Sequence, residues 1–174
     1  MVIRKIKHGI RRVSFLQVIF LFSFFLICAC NSNAESIERL GDAYVIYLPK
    51  SADFHEVVTD LKTEVSGVNW QVVNELNIGE TVQEFGVETE NKVISVCNVE
   101  YLSRAIQADP MISLIIPCRF TVFRENGGEQ RIVVGFYDPV AEAAALDLKQ
   151  VQAAEVATTD LKAVLERIAE MHQK

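Results

Sequence analysis

Alternating apolar and polar positions divide much of the chain into short strands. The segment "AYVIYLP" at 43–49 is rich in β-branched and aromatic residues and ends at a proline, which predicts a strand. Further strands are predicted at 69–78 and 92–98, and "MISLII" at 111–116 is predicted to be extended. Two alternating runs flank Asn126-Gly127-Gly128, which predicts a β-hairpin because these residues accept positive φ.

Apolar residues at helical spacing, together with capping residues, predict the helices. The first covers 53–67 and the second covers 98–109, each beginning at a capping side chain. Asp138-Pro139 opens a last helical region, with a restart expected at 158–160. Single helices between strands, combined with an antiparallel hairpin, predict one α+β domain over 43–174, with helices on one face of the sheet.

The first 29 residues have a composition of their own. Five Lys/Arg residues precede an almost wholly apolar run, which is the order typical of a secretory signal peptide. The sequence Ile27-Cys28-Ala29-Cys30 resembles a bacterial lipobox, in which the last cysteine receives the lipid. The sequence therefore predicts a signal peptide at 1–29, lipidation of Cys30 and a tether at 30–42. The protein is expected to be exported and anchored in a membrane, facing the periplasm or the cell exterior.

Two other readings of the leader remain open. Ser32-Asn33-Ala34 offers small residues for ordinary signal-peptidase cleavage, which would release a soluble periplasmic protein. The apolar stretch at 13–29 also reaches the lower limit of length for an uncleaved membrane anchor.

The charge of the mature chain narrows the range of partners. Loss of the five basic residues of the leader changes the formal net charge from −6 to −11. An acidic domain is repelled by phosphate backbones, so the sequence predicts no nucleic-acid partner. Contact with the membrane is expected through the lipid and not through a basic protein surface.

Cys97 and Cys118 are the candidate residues for chemistry in the mature domain. Cys97 precedes Asn98, the predicted cap of a helix, where backbone N–H groups would stabilise a thiolate. Alternatively, Cys97 packs against Leu102 as a hydrophobic staple. Cys118 begins the hairpin. Antiparallel neighbouring strands would bring the two thiols to one end of the sheet, where a disulfide becomes possible, whereas parallel strands would separate them. The sequence leaves this choice open.

Other chemistry has little support in the sequence. It has no serine nucleophile elbow, Walker loop or dinucleotide-binding fingerprint, so no catalytic residue is assigned. The two cysteines lack C-x-x-C spacing, and His55 and His172 are the histidines left after the leader. We expect His55 to be solvated and His172 to lie in a frayed tail. No metal site and no cofactor are assigned.

Four dipeptides carry a resemblance to a known family. They occur in a fixed order along the chain: Cys97-Asn98, Asp109-Pro110, Pro117-Cys118 and Asp138-Pro139. Over 43–139 the chain resembles the family called domain of unknown function 302 (DUF302). One departure is Val99, where the family usually has proline. The resemblance implies a curved, mainly antiparallel sheet with helices on one face, similar to the TATA-binding-protein fold, and a homodimer. It favours the antiparallel relation of the two cysteine strands, and it implies no established activity.

The leading hypothesis is an exported, lipid-anchored domain that binds a ligand or partner and is not an enzyme. Its binding surface is expected on the apolar sheet and the end of the sheet that carries the cysteines. One alternative is a thiol-based redox or sulfur-handling protein using Cys97 and Cys118. Another is a haem- or metal-binding protein with the same pair as ligands. The sequence identifies no small-molecule ligand.

Overall fold

A six-stranded antiparallel sheet forms the centre of the fold. The computed structural model describes residues 37–148 and 151–173, so the expected signal peptide and Cys30 lie outside the described residues. The strands are β1 Glu38–Leu40, β2 Ala43–Leu48, β3 Gln71–Asn77, β4 Asn91–Cys97, β5 Cys118–Arg124 and β6 Ile132–Tyr137. Their order in the sheet is β1-β2-β6-β5-β4-β3, and every neighbouring pair is antiparallel. The expected α+β fold with a mainly antiparallel sheet is confirmed.

Each edge of the sheet has one feature that the sequence did not predict. β1 lies inside the segment 30–42 that the sequence assigns to the tether, and its residues pair with β2. On the other edge, the register of β3 against β4 shifts between Val72 and Asn74, which marks a β-bulge. In the middle, β5 and β6 form the expected hairpin, with Gly127 and Gly128 at positive φ.

Five α-helices and one 3-10 helix are found in the described residues. The α-helices are α1 Phe54–Gly67, α2 Ile78–Gln83, α3 Val99–Ala108, α4 Pro139–Ala145 and α5 Val151–His172. The extended conformation expected at 111–116 is wrong, because Pro110–Leu114 forms a 3-10 helix whose Met111 N–H is capped by the Asp109 carboxylate. The restart expected at 158–160 is also wrong, because α5 runs through it. The Thr158 hydroxyl donates to Asp138 at 2.7 Å.

The main core lies between one face of the sheet and helices α1 and α5. Asp53 caps α1 by accepting from the Glu56 N–H at 2.8 Å, as the sequence indicates. Both helices turn an apolar stripe to the sheet. The fully buried helix residues are Val57, Leu61, Val65, Leu161, Val164, Leu165 and Ile168. The sheet contributes Ile46, Leu48, Ile94, Val96, Phe120, Val122, Ile132 and Val134.

Within the described part of the chain, no helix is long and apolar enough to cross a membrane.

A second apolar cluster lies at the end of the sheet where β4 stops and β5 begins. It joins α3, the 3-10 helix, α4 and the first turns of α5, through Ala105, Ile112, Ala143, Leu148 and Ala154. The Asp138 carboxylate links several elements at this end of the sheet. It accepts from the Val140 N–H at 3.1 Å and lies 3.3 Å from the Arg39 guanidinium, in addition to its bond from Thr158. The cysteines lie at the same end of the sheet.

Candidate functional site

Cys97 and Cys118 lie on adjacent antiparallel strands. Cys118 is directly opposite Val96, so Cys97 is one residue beyond the position that faces Cys118. Cross-strand partners share a face of the sheet, and Cys118 accordingly packs against the main core on the face covered by helices. Successive residues of a strand point to opposite faces, so the register does not align the two thiols side by side. Both cysteines are free thiols.

The two cysteines nevertheless line one small cavity. It has a volume of about 50 Å³ and lies between the end of the sheet and helices α3 and α5. Its wall is mainly apolar and includes Trp70, Tyr101, Ile112 and Ala154. Pockets for organic ligands start at roughly 300 Å³. The cavity is therefore too small for a haem, and it can hold only a few atoms.

The environment raises the pKa of both thiols. Burial raises the pKa of Cys97. For Cys118, burial first of all, together with the nearby Glu142 carboxylate and the Cys97 thiol, raises the pKa to about 12. The hypothesis that the N-terminus of α3 stabilises a Cys97 thiolate predicts a lowered pKa for Cys97, which is the opposite of what is found. Both groups are protonated thiols at neutral pH, which makes them poor nucleophiles.

Asn98 explains why the helix N-terminus does not activate Cys97. Its Oδ1 accepts from the backbone N–H groups of Glu100 at 3.0 Å and Tyr101 at 3.2 Å. These are donors that a neighbouring thiolate would need. Its Nδ2 donates to the carbonyl of Asn69 at 3.3 Å. Asn98 is buried, and its side chain is engaged in holding the chain at the junction of β4 and α3.

The histidines do not complete a metal site around the cysteines. Among residues 37–148 and 151–173, no group of three or more His, Cys, Asp or Glu side chains is arranged to hold a metal ion. His55 is exposed, as expected. The expectation of a frayed tail at His172 is wrong, because its Nε2 lies 2.9 Å from Oδ2 of Asp60 in α1 and its side chain is largely buried.

A larger concavity lies on the sheet face opposite α1 and α5, and we call it the open trough. It has a volume of about 770 Å³, within the usual size range of ligand sites. Its lining is mostly apolar: Leu40, Ala43, Val45, Tyr47, Val93, Thr121, Phe123, Val133, Gly135 and Tyr137. A side chain at Gly135 would clash, since a Cβ there would lie 2.7 Å from both the Tyr44 carbonyl oxygen and Cγ1 of Val45. Val45 therefore packs directly over the backbone of β6.

Charged pairs stand at the two ends of the open trough. At one end, Arg131 donates to both carboxylate oxygens of Glu125, each at 3.1 Å, and its guanidinium lies 4.2 Å from the Tyr47 ring centre. At the other end, Arg119 lies 3.5 Å from Glu142. Burial raises the pKa of Glu142, since Arg119 only partly offsets the loss of water around this carboxylate.

The sequence reasoning expected the apolar sheet and the cysteine end to form one binding surface. The structure divides them, because the cysteines line the small cavity and Arg119 lines the open trough. The sequence reasoning did not single out Arg119. The available signal was the alternation of β5, in which Arg119, Thr121 and Phe123 fall on the face opposite Cys118.

Comparison with known proteins agrees with this architecture. The model of the family described as "Domain of unknown function DUF302" matches residues 46–168. A solved structure described as the uncharacterized conserved protein DUF302 from Bacillus stearothermophilus superposes with a TM-score of 0.66 at 20% identity, covering 74% of this chain and 99% of that chain. No curated protein matches the chain significantly. The match to the solved structure shows a shared fold, and the family match confirms the resemblance of the four dipeptides. The chain belongs to the DUF302 family.

Proposed function

We propose that this protein is an exported, lipid-anchored binding domain that holds an apolar ligand in the open trough and does not catalyse a reaction. The leader composition and the lipobox at Cys30 support export and anchoring. The domain at the end of the tether would then meet its ligand outside the cytoplasmic membrane. The family has no assigned function that bears on this proposal.

One observation carries the binding role: an open apolar concavity of about 770 Å³ on one face of the sheet. Its lining is mainly apolar, with Val93 and Phe123 only partly covered, and its volume falls within the range of ligand pockets. The charged groups at its ends are paired with each other, Arg119 with Glu142 and Arg131 with Glu125. This arrangement favours binding over proton transfer, because none of these side chains stands as a free base beside the apolar lining.

The test is the uptake of a neutral fluorescent apolar probe, N-phenylnaphthylamine, by residues 34–174. These residues form a compact unit of their own, so they can be examined without the apolar leader and without detergent. We expect saturable fluorescence enhancement with one site per chain. Thr121→Trp should abolish it, because Thr121 lines the middle of the open trough, and Thr121→Phe should weaken it. Thr159→Trp, on the exposed surface of α5, is the matched control.

Absence of uptake would overturn the proposal, as would uptake that is unaffected by Thr121→Trp in a variant whose melting temperature is unchanged. Sedimentation of the same samples tests the competing use of this surface. A homodimer that takes up no probe and dissociates in Thr121→Trp would make the open trough an interface between copies.

Thiol-based redox or sulfur handling is the second candidate function. It is favoured by one observation, that Cys97 and Cys118 are both free and line the same cavity. The raised pKa of both thiols weighs against it. Treatment of the native protein with an added disulfide oxidant, followed by intact mass measurement, separates the two functions, because a redox pair would give up two protons and two electrons to the oxidant on forming its disulfide and regain them from an added thiol reductant.

A further inference from the structure

We propose that the ligand of the open trough is a long-chain carboxylate, with its alkyl chain lying along the sheet and its acid group bound by Arg119. This inference rests on the proposed function and adds the chemical class and the orientation of the ligand. It follows from a difference between the two charged ends of the open trough.

The end at Arg131 is already occupied by protein groups. The Arg131 guanidinium is held by both carboxylate oxygens of Glu125 and lies 3.2 Å from a Glu129 oxygen. One flat face of the guanidinium covers the ring of Tyr47. An incoming acid group would have to displace two carboxylates and an aromatic contact. This end therefore closes the open trough and does not offer a binding group.

The end at Arg119 is open. Its side chain is 57% exposed, and among the described residues its one ion-pair partner is Glu142, at 3.5 Å. A guanidinium has five N–H donors in a planar fork that matches a carboxylate with two parallel hydrogen bonds. The Arg119 side chain lines the open trough and is more than half exposed. A ligand carboxylate can bind there without breaking a strong interaction within the protein.

The surface leading away from Arg119 suits an alkyl chain. Arg119, Thr121 and Phe123 follow one another on the same face of β5, and at about 3.4 Å per residue they span roughly 14 Å. Thr121 is opposite Val93 on one side and Gly135 on the other. At Gly135 the side chain of Val45 covers the backbone, so the surface beside Thr121 is apolar on this side. A chain bound at Arg119 would lie over an apolar path that ends near Phe123.

Glu142 supplies a way to strengthen binding as well as to weaken it. Its carboxylate competes with a ligand acid group for the same guanidinium. It is only 17% exposed, and burial raises its pKa, so it is a poorly solvated partner for Arg119. Glu142→Gln keeps the shape of the side chain and removes the competing charge. Binding of a carboxylate should therefore become tighter in this variant, which a general loss of structure would not produce.

The experiment measures displacement of N-phenylnaphthylamine from residues 34–174 by three ligands with the same alkyl chain: dodecanoate, dodecanol and dodecyltrimethylammonium. Dodecanoate should displace the probe at a concentration about tenfold lower than dodecanol, and the cationic ligand should be the weakest. In Arg119→Gln, dodecanoate should displace the probe at the same concentration as dodecanol, and the concentration needed for dodecanol should stay as in the wild type. In Glu142→Gln, the concentration of dodecanoate needed for displacement should fall severalfold. The control is Arg104→Gln, which removes an exposed arginine that is paired with Glu100 on α3 and does not line the open trough.

Two failures are distinguishable. The probe could bind in the open trough while dodecanoate and dodecanol displace it at equal concentrations, or while Arg119→Gln leaves both displacing concentrations unchanged. In either case the carboxylate assignment is wrong and the apolar binding role stands. If the probe does not bind, or if Thr121→Trp and Thr121→Phe leave its binding intact, both the assignment and the proposed function are wrong.

Discussion

Cys118 faces Val96 directly across β4 and β5, and Cys97 is therefore out of register with Cys118 by one residue. This offset is small along the chain, but it decides which bonds the cysteines can form. The side chains leave a pleated sheet in opposite directions at successive positions, and a disulfide needs its two Cβ atoms about 3.8 Å apart. The two residues line one cavity as free thiols, and the register does not place them directly opposite each other.

The first prediction concerns thiol reactivity. At neutral pH, iodoacetamide should modify neither Cys97 nor Cys118 in the native domain during the time that fully modifies the protein unfolded in urea, because both groups are protonated, Cys97 is buried and Cys118 is partly buried. Intact mass spectrometry of the two samples measures this. Rapid modification of either cysteine in the folded protein would contradict the pKa directions and favour the redox alternative.

The second prediction concerns stability in alkaline solution. The Cys118 thiol has a pKa of 9.0 when exposed and about 12 in the folded domain. Between these values the unfolded chain releases a proton that the folded chain retains. The free energy of unfolding should therefore fall as pH rises above 9.0, with a contribution from Cys118 of about 1.4 kcal/mol per pH unit. Below pH 9.0 this contribution to stability is fully present.

Urea unfolding of the wild type and Cys118→Ala over this alkaline range isolates the effect, because tyrosine and lysine titrations are common to both proteins. Cys118→Ala should be less stable at neutral pH, and the difference should shrink as pH rises. Parallel pH profiles for the two proteins would show that Cys118 ionises with an ordinary pKa in the folded state.

The third prediction concerns the cap at the junction of β4 and α3. Asn98→Ala should lower the free energy of unfolding by about 1 to 2 kcal/mol, since it leaves the N–H groups of Glu100 and Tyr101 without their acceptor. Asn98→Asp retains the acceptor but loses the donor to Asn69, and it should be intermediate. Glu100→Ala, an exposed change in the same turn, should alter stability by less than about 0.5 kcal/mol. Equal losses for Asn98→Ala and Glu100→Ala would reject the capping role.

The fourth prediction concerns the close approach of β2 and β6. Gly135→Ala should destabilise the domain by about 1 to 3 kcal/mol, because the new Cβ would lie 2.7 Å from the Tyr44 carbonyl oxygen and from Val45. Gly67→Ala is the matched control, because its Cβ would meet only the flexible end of Arg167, at 3.6 Å. Thermal melts of the two variants should differ clearly. A stable Gly135→Ala protein would mean that β2 lies farther from β6 than the structure shows.

The fifth prediction concerns the leader. Cys30→Ala in the full chain should prevent lipidation and move the protein from the membrane fraction to the soluble or periplasmic fraction, or leave an unprocessed precursor. Fractionation and metabolic labelling with a radioactive fatty acid measure both effects. Unchanged membrane attachment without labelling of the wild type would favour the uncleaved anchor, and a soluble labelling-free wild type would favour cleavage after Ala34.

Local features of the fold were predictable because they depend on a few neighbouring residues. The caps at Asp53 and Asn98 and the hairpin at Gly127-Gly128 are determined by side-chain oxygens and backbone freedom within one turn. The fold class followed from the alternation of such elements. The four dipeptides identified the family because each marks the end or start of an element, and their spacing records the lengths between them.

Features that depend on distant parts of the chain were not predictable in this way. The restart expected at Thr158 is wrong because α5 continues through it, and the Thr158 hydroxyl bonds to Asp138, 20 residues away. The hypothesis of a stabilised Cys97 thiolate predicted a lowered pKa, and the pKa is raised. The Asn98 side chain accepts the hydrogen bonds of the backbone N–H groups at the start of α3, and burial removes water from the thiol. The place of Arg119 in the lining of the open trough depends on the pairing of β5 with β4 and β6, which the sequence did not specify.

The bulge in β3 has a consequence for association between molecules. β3 is an edge strand, and its exposed residues include Val72, Val73 and Leu76. A straight edge with these side chains would be a template for adding strands from other copies, which is the route to fibrous aggregates. The register shift between Val72 and Asn74 interrupts that template. An irregular edge therefore disfavours the growth of continuous sheets from β3 of one copy to a strand of the next.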